Sequence, residues 1–256
     1  MKTDNLEQEK INQAIEFFKK GNYHNTLLEL KKLEKNTNNF LVYWYLGHTH
    51  FKLHEYSEAI KYVKKSIDLN SKDPLNLNFL GELYLQINKH LDAFKAFEEV
   101  LEIDPKNNKA ILNLAKVNLN LGKIENSEKY FKRLLEKDPL NSSYLYSLIS
   151  INKKYLTDQL ATKIKDNKKD SDYINSIYSK LILAKSAQFK KNYNEEIDYL
   201  LDARKIYSNR NQRAINQQFN YYKNLLPKFQ GIEPHLVLAA LASIGRTTIS
   251  REGDTI

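Results

Sequence analysis

Apolar residues recur along this chain at intervals of three and four, and between residues 40 and 141 that pattern is itself written three times, 34 positions apart. Leu46-Gly47 returns as Leu80-Gly81 and as Leu114-Ala115; a small residue follows each pair (Ala59, Ala93, Ser127), and an apolar one stands four residues beyond (Val63, Phe97, Phe131). The short period predicts amphipathic helices, and the long one predicts a helical repeat in which each unit buries its apolar side against its neighbours. A glycine inside a helix costs about 1 kcal/mol relative to alanine, so its return at Gly47 and Gly81 needs a cause. Close approach supplies one: Gly47 is expected to face Ala59 of the following helix.

The same reading extends to both sides. Ile11, Ala14, Ile15, Phe17 and Phe18, a turn at Gly21-Asn22-Tyr23, and Leu27, Leu28, Leu30 and Leu33 predict a degenerate helix pair over residues 1–39. Three regular units then occupy 40–73, 74–107 and 108–141, the last two closing on Asp104-Pro105 and Asp138-Pro139, where proline disfavours continued helix. From 142 to 229 the pattern decays. Tyr144 to Leu156 reads as a first helix, and Leu160, Ala161 and Ile164 as a short second one. Lys163 to Asp172 reads as a charged connection, followed by a better unit through Ile177, Ala184, Ala187, Ile197 and Ala203. A closing helix with Ile215, Phe219, Tyr222 and Leu225 is expected before Pro227. Residues 230–256 differ in kind: from Gly231 onward there is neither Lys nor Asn, and the segment reads as a capping helix with a tail or as a fragment of something that once continued.

Composition changes this picture little. Only 7 glycines and 5 prolines in 256 residues favour an almost wholly helical chain, and one elongated domain is the simpler organisation. The net charge of +9 sits on lysines interleaved with Glu and Asp, the pattern of a solvated helix surface. No nucleic-acid-binding module accompanies it, so no specific nucleic-acid partner is expected. With 0 cysteines there is no disulfide framework and no thiolate metal site. His50 and His54 stand one helical turn apart but without a supporting carboxylate motif, and paired acids such as Glu98-Glu99 and Glu195-Glu196 are scattered. Neither metal, cofactor nor catalysis is expected. No signal-peptide core opens the chain, and no apolar run approaches the ~20 residues that span a bilayer, so a cytoplasmic protein with no membrane span is expected.

These units resemble tetratricopeptide repeats. The likeness rests on Tyr43, Leu46, Gly47, Tyr56 and Ala59; on Leu80, Gly81, Tyr84, Ala93, Phe97 and Pro105; and on Leu114, Gly122, Phe131 and Pro139. Ala115 and Ser127 depart from the pattern, and the first unit ends in Asn70-Ser71 rather than Asp-Pro. The resemblance implies an all-α fold, a right-handed α-solenoid of antiparallel helix pairs, and a function as a non-catalytic scaffold. The first helices of such units line a groove that receives an extended peptide or a partner helix. In this chain that implication selects Trp44, Tyr45, His48 and Phe51 in the first unit, Asn78, Phe79 and Glu82 in the second, and Asn113, Lys116 and Asn120 in the third. Aromatic residues of this kind anchor interfaces, although some could instead pack between units. The lysine, asparagine and arginine set with which chaperone-binding members grip a terminal carboxylate is missing, because Trp44, His48, Phe79 and Lys109 hold those places.

A second reading comes from the C-terminal part. Residues 173–229 are similar to the segment that joins such repeats to a sulfotransferase domain in some bacterial proteins, and Gly245-Arg246-Thr247-Thr248 faintly echoes that family's phosphate loop. On this reading the chain is the repeat region of such an enzyme without its catalytic domain.

Overall fold

The computed structural model describes residues 2–70, 73–167 and 172–210. Among them every regular element is helical: α1 (Lys2–Lys19), α2 (Tyr23–Glu34), α3 (Phe40–Lys52), α4 (Tyr56–Leu69), α5 (Pro74–Gln86), α6 (His90–Ile103), α7 (Asn108–Asn120), α8 (Ile124–Lys137), α9 (Ser142–Ile151), α10 (Asp158–Asp166), α11 (Tyr173–Phe189) and α12 (Tyr193–Arg210). A 3-10 turn, Lys153–Tyr155, separates α9 from α10. Each odd-numbered helix through α7 packs against its successor, and each even-numbered one hands on to the next unit. The result is an α-solenoid of helix pairs. The expected closing helix and the segment 230–256 lie outside the described residues, as does the echo of the phosphate loop.

Local chemistry sets the helix boundaries. An Asn or Asp stands before α3, α5, α7 and α9, and the side chains of Asn39, Asp73, Asn107 and Asn141 accept from Leu41, Leu75, Ala110 and Tyr144 N–H. Each satisfies a backbone donor that a helix start would leave open. Asp104 and Asp138 lock these caps in place by accepting from the side-chain amides of Asn107 and Asn141 at 3.2 and 3.0 Å. Within the pairs the turn is made by a residue with positive φ, at Gly21 (73°), His54 (62°), Asn88 (58°), Gly122 (71°) and Lys191 (57°). These five share one register position, so Lys191 aligns α11 with the regular units.

A left-handed conformation strains any residue with a Cβ, and lysine gains nothing from it. Lys191→Gly is expected to stabilise the fold by about 0.5–1 kcal/mol, net of the greater freedom of glycine in the unfolded chain. Urea denaturation followed by helical signal reads this directly, and an unchanged or lower midpoint would contradict it.

The apolar interior is a string of small cores, each shared between neighbours. Ile11, Ala14, Leu30, Val42, Tyr43, Leu46 and Tyr62 join the first two pairs; Ala59, Val63, Phe79, Leu80 and Leu83 join the next. Further on, Ala93, Phe97, Leu114 and Val117, and then Ile111, Ala115, Phe131, Leu134 and Leu148, continue the chain of cores. The glycines work as expected and somewhat further. A Cβ on Gly47 would lie 2.5 Å from Val63 Cγ2 and 3.3 Å from the Ala59 carbonyl oxygen, while one on Gly81 would lie 2.5 Å from the Phe97 ring. Where the third unit departs from the pattern, the Ser127 hydroxyl donates to the Ala115 carbonyl at 2.8 Å, so the hydroxyl is satisfied inside the pair.

The irregular unit corrects two expectations. Helix α9 stops at Ile151 rather than running to Leu156, because Asn152 turns extended and its side chain accepts from Lys154 N–H, which competes with helical bonding. Lys163 to Asp166 belongs to α10 and is not connection. In consequence α9 packs on α11, and α10 packs on α11 as well. One core built from Leu145, Ile149, Ala161, Ile164, Ile182 and Leu183 holds the three together.

Candidate functional site

The first helices of successive units share one face, and α3 supplies most of its aromatic surface. Trp44 and Tyr45 meet edge to face at 4.7 Å, Tyr45 meets Phe18 of α1 at 5.4 Å, and Trp44 lies 3.8 Å from the His48 ring. His48 stacks in turn on Phe79 of α5, with centroids 3.7 Å apart and planes at 8°, and Phe51 meets Phe79 edge-on at 5.4 Å. Six rings from three helices therefore form one continuous seat.

Depth divides the predicted residues. Trp44, Tyr45, His48 and Phe51 are half-buried, whereas Phe79 is 6% exposed, Asn78 2% and Asn113 8%. Phe79 thus forms the floor on which the others rest. Leu75, 68% exposed at the start of α5, adds apolar surface beside it. Further along, Glu82 pairs with Lys109 of α7 at 2.8 Å, and Lys116 and Asn120 are exposed. The amide of Asn78 donates to Asn107 Oδ1 at 3.5 Å, while Asn78 Oδ1 and Asn113 Nδ2 are buried without a partner among the described residues.

His48 is a half-buried base whose Nε2 is itself buried and likewise has no partner among the described residues. Burial lowers its pKa to about 3 from an ordinary 6.5, and the positive charges of Lys52 and then Lys109 add to the effect. In the unfolded chain the imidazole takes its proton near pH 6.5. Folding therefore opposes protonation: stability is full above pH 6.5 and declines as pH falls toward 3, by up to about 1.4 kcal/mol per pH unit. Between pH 7 and pH 5 His48 is expected to cost about 2 kcal/mol of stability, a loss that His48→Phe should remove while keeping a ring in the stack. Urea denaturation of both proteins at the two pH values checks this; an equal loss in both would assign the acid sensitivity elsewhere.

His50 and His54 play structural parts. His50 is buried, stacked on Tyr62 at 5.2 Å and bonded to Glu55 at 2.5 Å. His54 lies beyond the end of α3 on the left-handed turn, so the two do not share a helix face. No group of three or more His, Asp or Glu among the described residues could hold a metal ion, and no helix there is long and apolar enough to cross a membrane.

Sequence reasoning stopped its inward positions at α7 and missed their continuation. Tyr146 of α9 stands 34 residues beyond Leu112, and Tyr178 and Lys185 of α11 stand as far before the Lys191 turn as Lys109 and Lys116 stand before Gly122. A search for the left-handed turn position would have carried the register across the irregular unit.

Two models of the tetratricopeptide repeat match the chain, over residues 46–108 and 84–150. No curated protein matches it. Among solved structures, PilF of Pseudomonas aeruginosa is similar at 16% identity, covering 87% of this chain and 100% of its own, with a TM-score of 0.58. PilW, a type IV pilus biogenesis factor, is similar at 16% identity over 77% of this chain and 91% of its own, TM-score 0.58. A tetratricopeptide repeat protein from Parabacteroides merdae matches at 18% identity over 78% of each chain, TM-score 0.57. At these identities the likeness is one of fold.

Proposed function

The chain is a tetratricopeptide repeat protein over residues 46–150, and on that premise we propose that it is a non-catalytic scaffold whose first-helix face receives a peptide segment of another protein. The observation that carries this reading is the aromatic seat. Trp44, Tyr45 and Phe51 are kept half-exposed on a floor of Phe79, beside an exposed Leu75, where a folded chain with no partner would gain by burying them. Large, rigid side chains on a firm base bind at low entropic cost, and such positions are where the binding energy of interfaces concentrates. An apolar side chain of the partner inserts between Trp44 and Leu75, and Lys116 and Asn120 donate to its polar groups further along.

Selection of a random dodecapeptide library on the full chain tests the reading. Peptides enriched on the wild type should fail to enrich on Trp44→Ala at matched folded concentration. Equal enrichment on both proteins would remove the seat from the binding surface.

A further inference from the structure

The turns within the helix pairs lie along one edge of the solenoid, away from the Trp44 seat, and that edge has its own chemistry. Between the helices of a pair stand Lys20, Lys89, Lys123, Lys153, Lys154, Lys190 and Lys191, against a single acid, Glu55, which is bonded to His50. In the segments that join one regular unit to the next, Lys35, Lys72 and Lys106 are matched in sequence by Asp73, Asp104 and Asp138. The 3-10 turn Lys153–Tyr155 belongs to the same edge as the others, since the Lys153 ammonium stands 5.2 Å from the ring of Phe189 at the end of α11.

Little of this charge is neutralised within the fold. Lys190 is paired with Asp158 at 2.6 Å. Lys123, Lys153 and Lys154 lie over the rings of Phe94, Phe189 and Tyr155, contacts that leave the charge in place. Lys20, Lys89 and Lys191 have no ion-pair partner among the described residues. Lys191 also holds a left-handed turn position, φ 57°, where Gly21 and Gly122 occupy the equivalent places without strain. The fold by itself gives no reason for a lysine there.

Exposed apolar side chains accompany these lysines turn by turn. Leu53, Leu91, Ile124, Phe189 and Tyr193 all stand in or beside the turns, Leu91 at 61% and Phe189 at 54% exposure. Bases cannot stack on Leu91 or Ile124, and none of the turns contains an arginine to grip phosphate with two bonds, so a nucleic-acid strand is a poor match. A bilayer surface takes both kinds of side chain. Apolar groups enter the boundary between headgroups and acyl chains, a tyrosine sits at headgroup level, and lysine ammonium groups stay among anionic phosphates.

We propose that the turn edge rests on an anionic lipid surface, with Leu53, Leu91, Ile124 and Phe189 at the acyl boundary and the turn lysines among the headgroups. The contact uses none of Trp44, Tyr45, His48 and Phe79, so it stands independently of the scaffold reading.

Sedimentation of the full chain with sucrose-loaded vesicles tests this. Vesicles of phosphatidylcholine with about one third phosphatidylglycerol should bind at least about 10-fold more tightly than phosphatidylcholine alone, and added salt should weaken the binding. Lys20→Gln, Lys89→Gln, Lys123→Gln and Lys191→Gln combined should lower binding by about 10-fold or more. Lys31→Gln, Lys95→Gln, Lys129→Gln and Lys163→Gln combined, exposed on the second helices, change the net charge equally and should lower it less than about 3-fold. Leu91→Ser with Ile124→Ser should lower it about 5-fold through the lost apolar contact. All of these positions are exposed, so thermal midpoints should match the wild type. Equal losses in the two lysine sets would reduce the attraction to net charge and overturn the inference, as would equal binding to both kinds of vesicle. An oligouridylate that binds more tightly than either vesicle and is lost with the first lysine set would make the edge a nucleic-acid surface and also overturn it. Trp44→Ala should bind vesicles as the wild type does; loss of binding there would move the lipid contact to the seat and refute the assignment to the turns.

Discussion

Phe97→Ala is expected to cost about 3–5 kcal/mol of stability, the range for deleting a fully buried phenylalanine in a core that cannot collapse. Phe97 has 0% exposure and sits between Ala93, Leu114 and Val117, with its ring edge against Gly81. In a solenoid, where each unit is held by its neighbours, loss of this contact uncouples α5–α6 from α7–α8, so the unfolding transition should broaden as well as shift. Urea denaturation followed by helical signal measures both. The partner position gives an internal check. Gly81→Ala should destabilise the wild type, because its methyl would overlap the Phe97 ring, but should stabilise the Phe97→Ala background, where the overlap is gone and alanine's helical preference of about 1 kcal/mol is expressed. A destabilising effect of the same size in both backgrounds would show that Gly81 is needed for some other reason.

Trp44→Ala is expected to do the reverse. Binding of a peptide selected on this face should weaken by about 2–4 kcal/mol, roughly 30-fold or more, the range of an interface hot spot. Its stability cost should be much smaller than that of Phe97→Ala, because Trp44 is half-buried and rests on the His48 ring rather than supporting it from below. Phe79→Ala distinguishes seat from floor. Phe79 is stacked beneath His48 and flanked by Phe51, so its removal should lower stability and binding together. Isothermal titration beside thermal melting separates the two variants. A Trp44→Ala protein that unfolds like Phe79→Ala would make Trp44 part of the core.

Much of this architecture was legible because repeats state the same local rule several times. Leu46-Gly47 and Leu80-Gly81 announce helices that touch, and the structure adds only what they touch, Val63 in one case and Phe97 in the other. The caps Asn39, Asp73, Asn107 and Asn141 are written at the same interval. Legibility fails where one residue acts against the period. Asn152 ends α9 five residues before the apolar pattern gives out at Leu156, since a side chain that bonds its own backbone outweighs a marginal hydrophobic signal.

Which residues share the first-helix face was legible in the sequence, and how deep each one lies was not. Helical spacing places Trp44 and Phe79 on the same face, yet only the ring of His48, reaching from α3 of the preceding unit, makes Phe79 a floor. Likewise His48 reads in sequence as one more polar groove residue. Its enclosure among Trp44, Phe18 and Phe79, beside Lys52 and Lys109, depends on four helices coming together, which no single period encodes.

The chain contains 1 tryptophan, Trp44, so the seat carries its own reporter. Titration of the full protein with a peptide selected on this face, followed by Trp44 emission, tests the account most directly. A saturable shift of the emission to shorter wavelength, with loss of quenching by acrylamide, is the predicted result, because an apolar side chain on the seat removes water from the indole. Binding that saturates by calorimetry while the emission and quenching of Trp44 stay unchanged would place the partner on another surface.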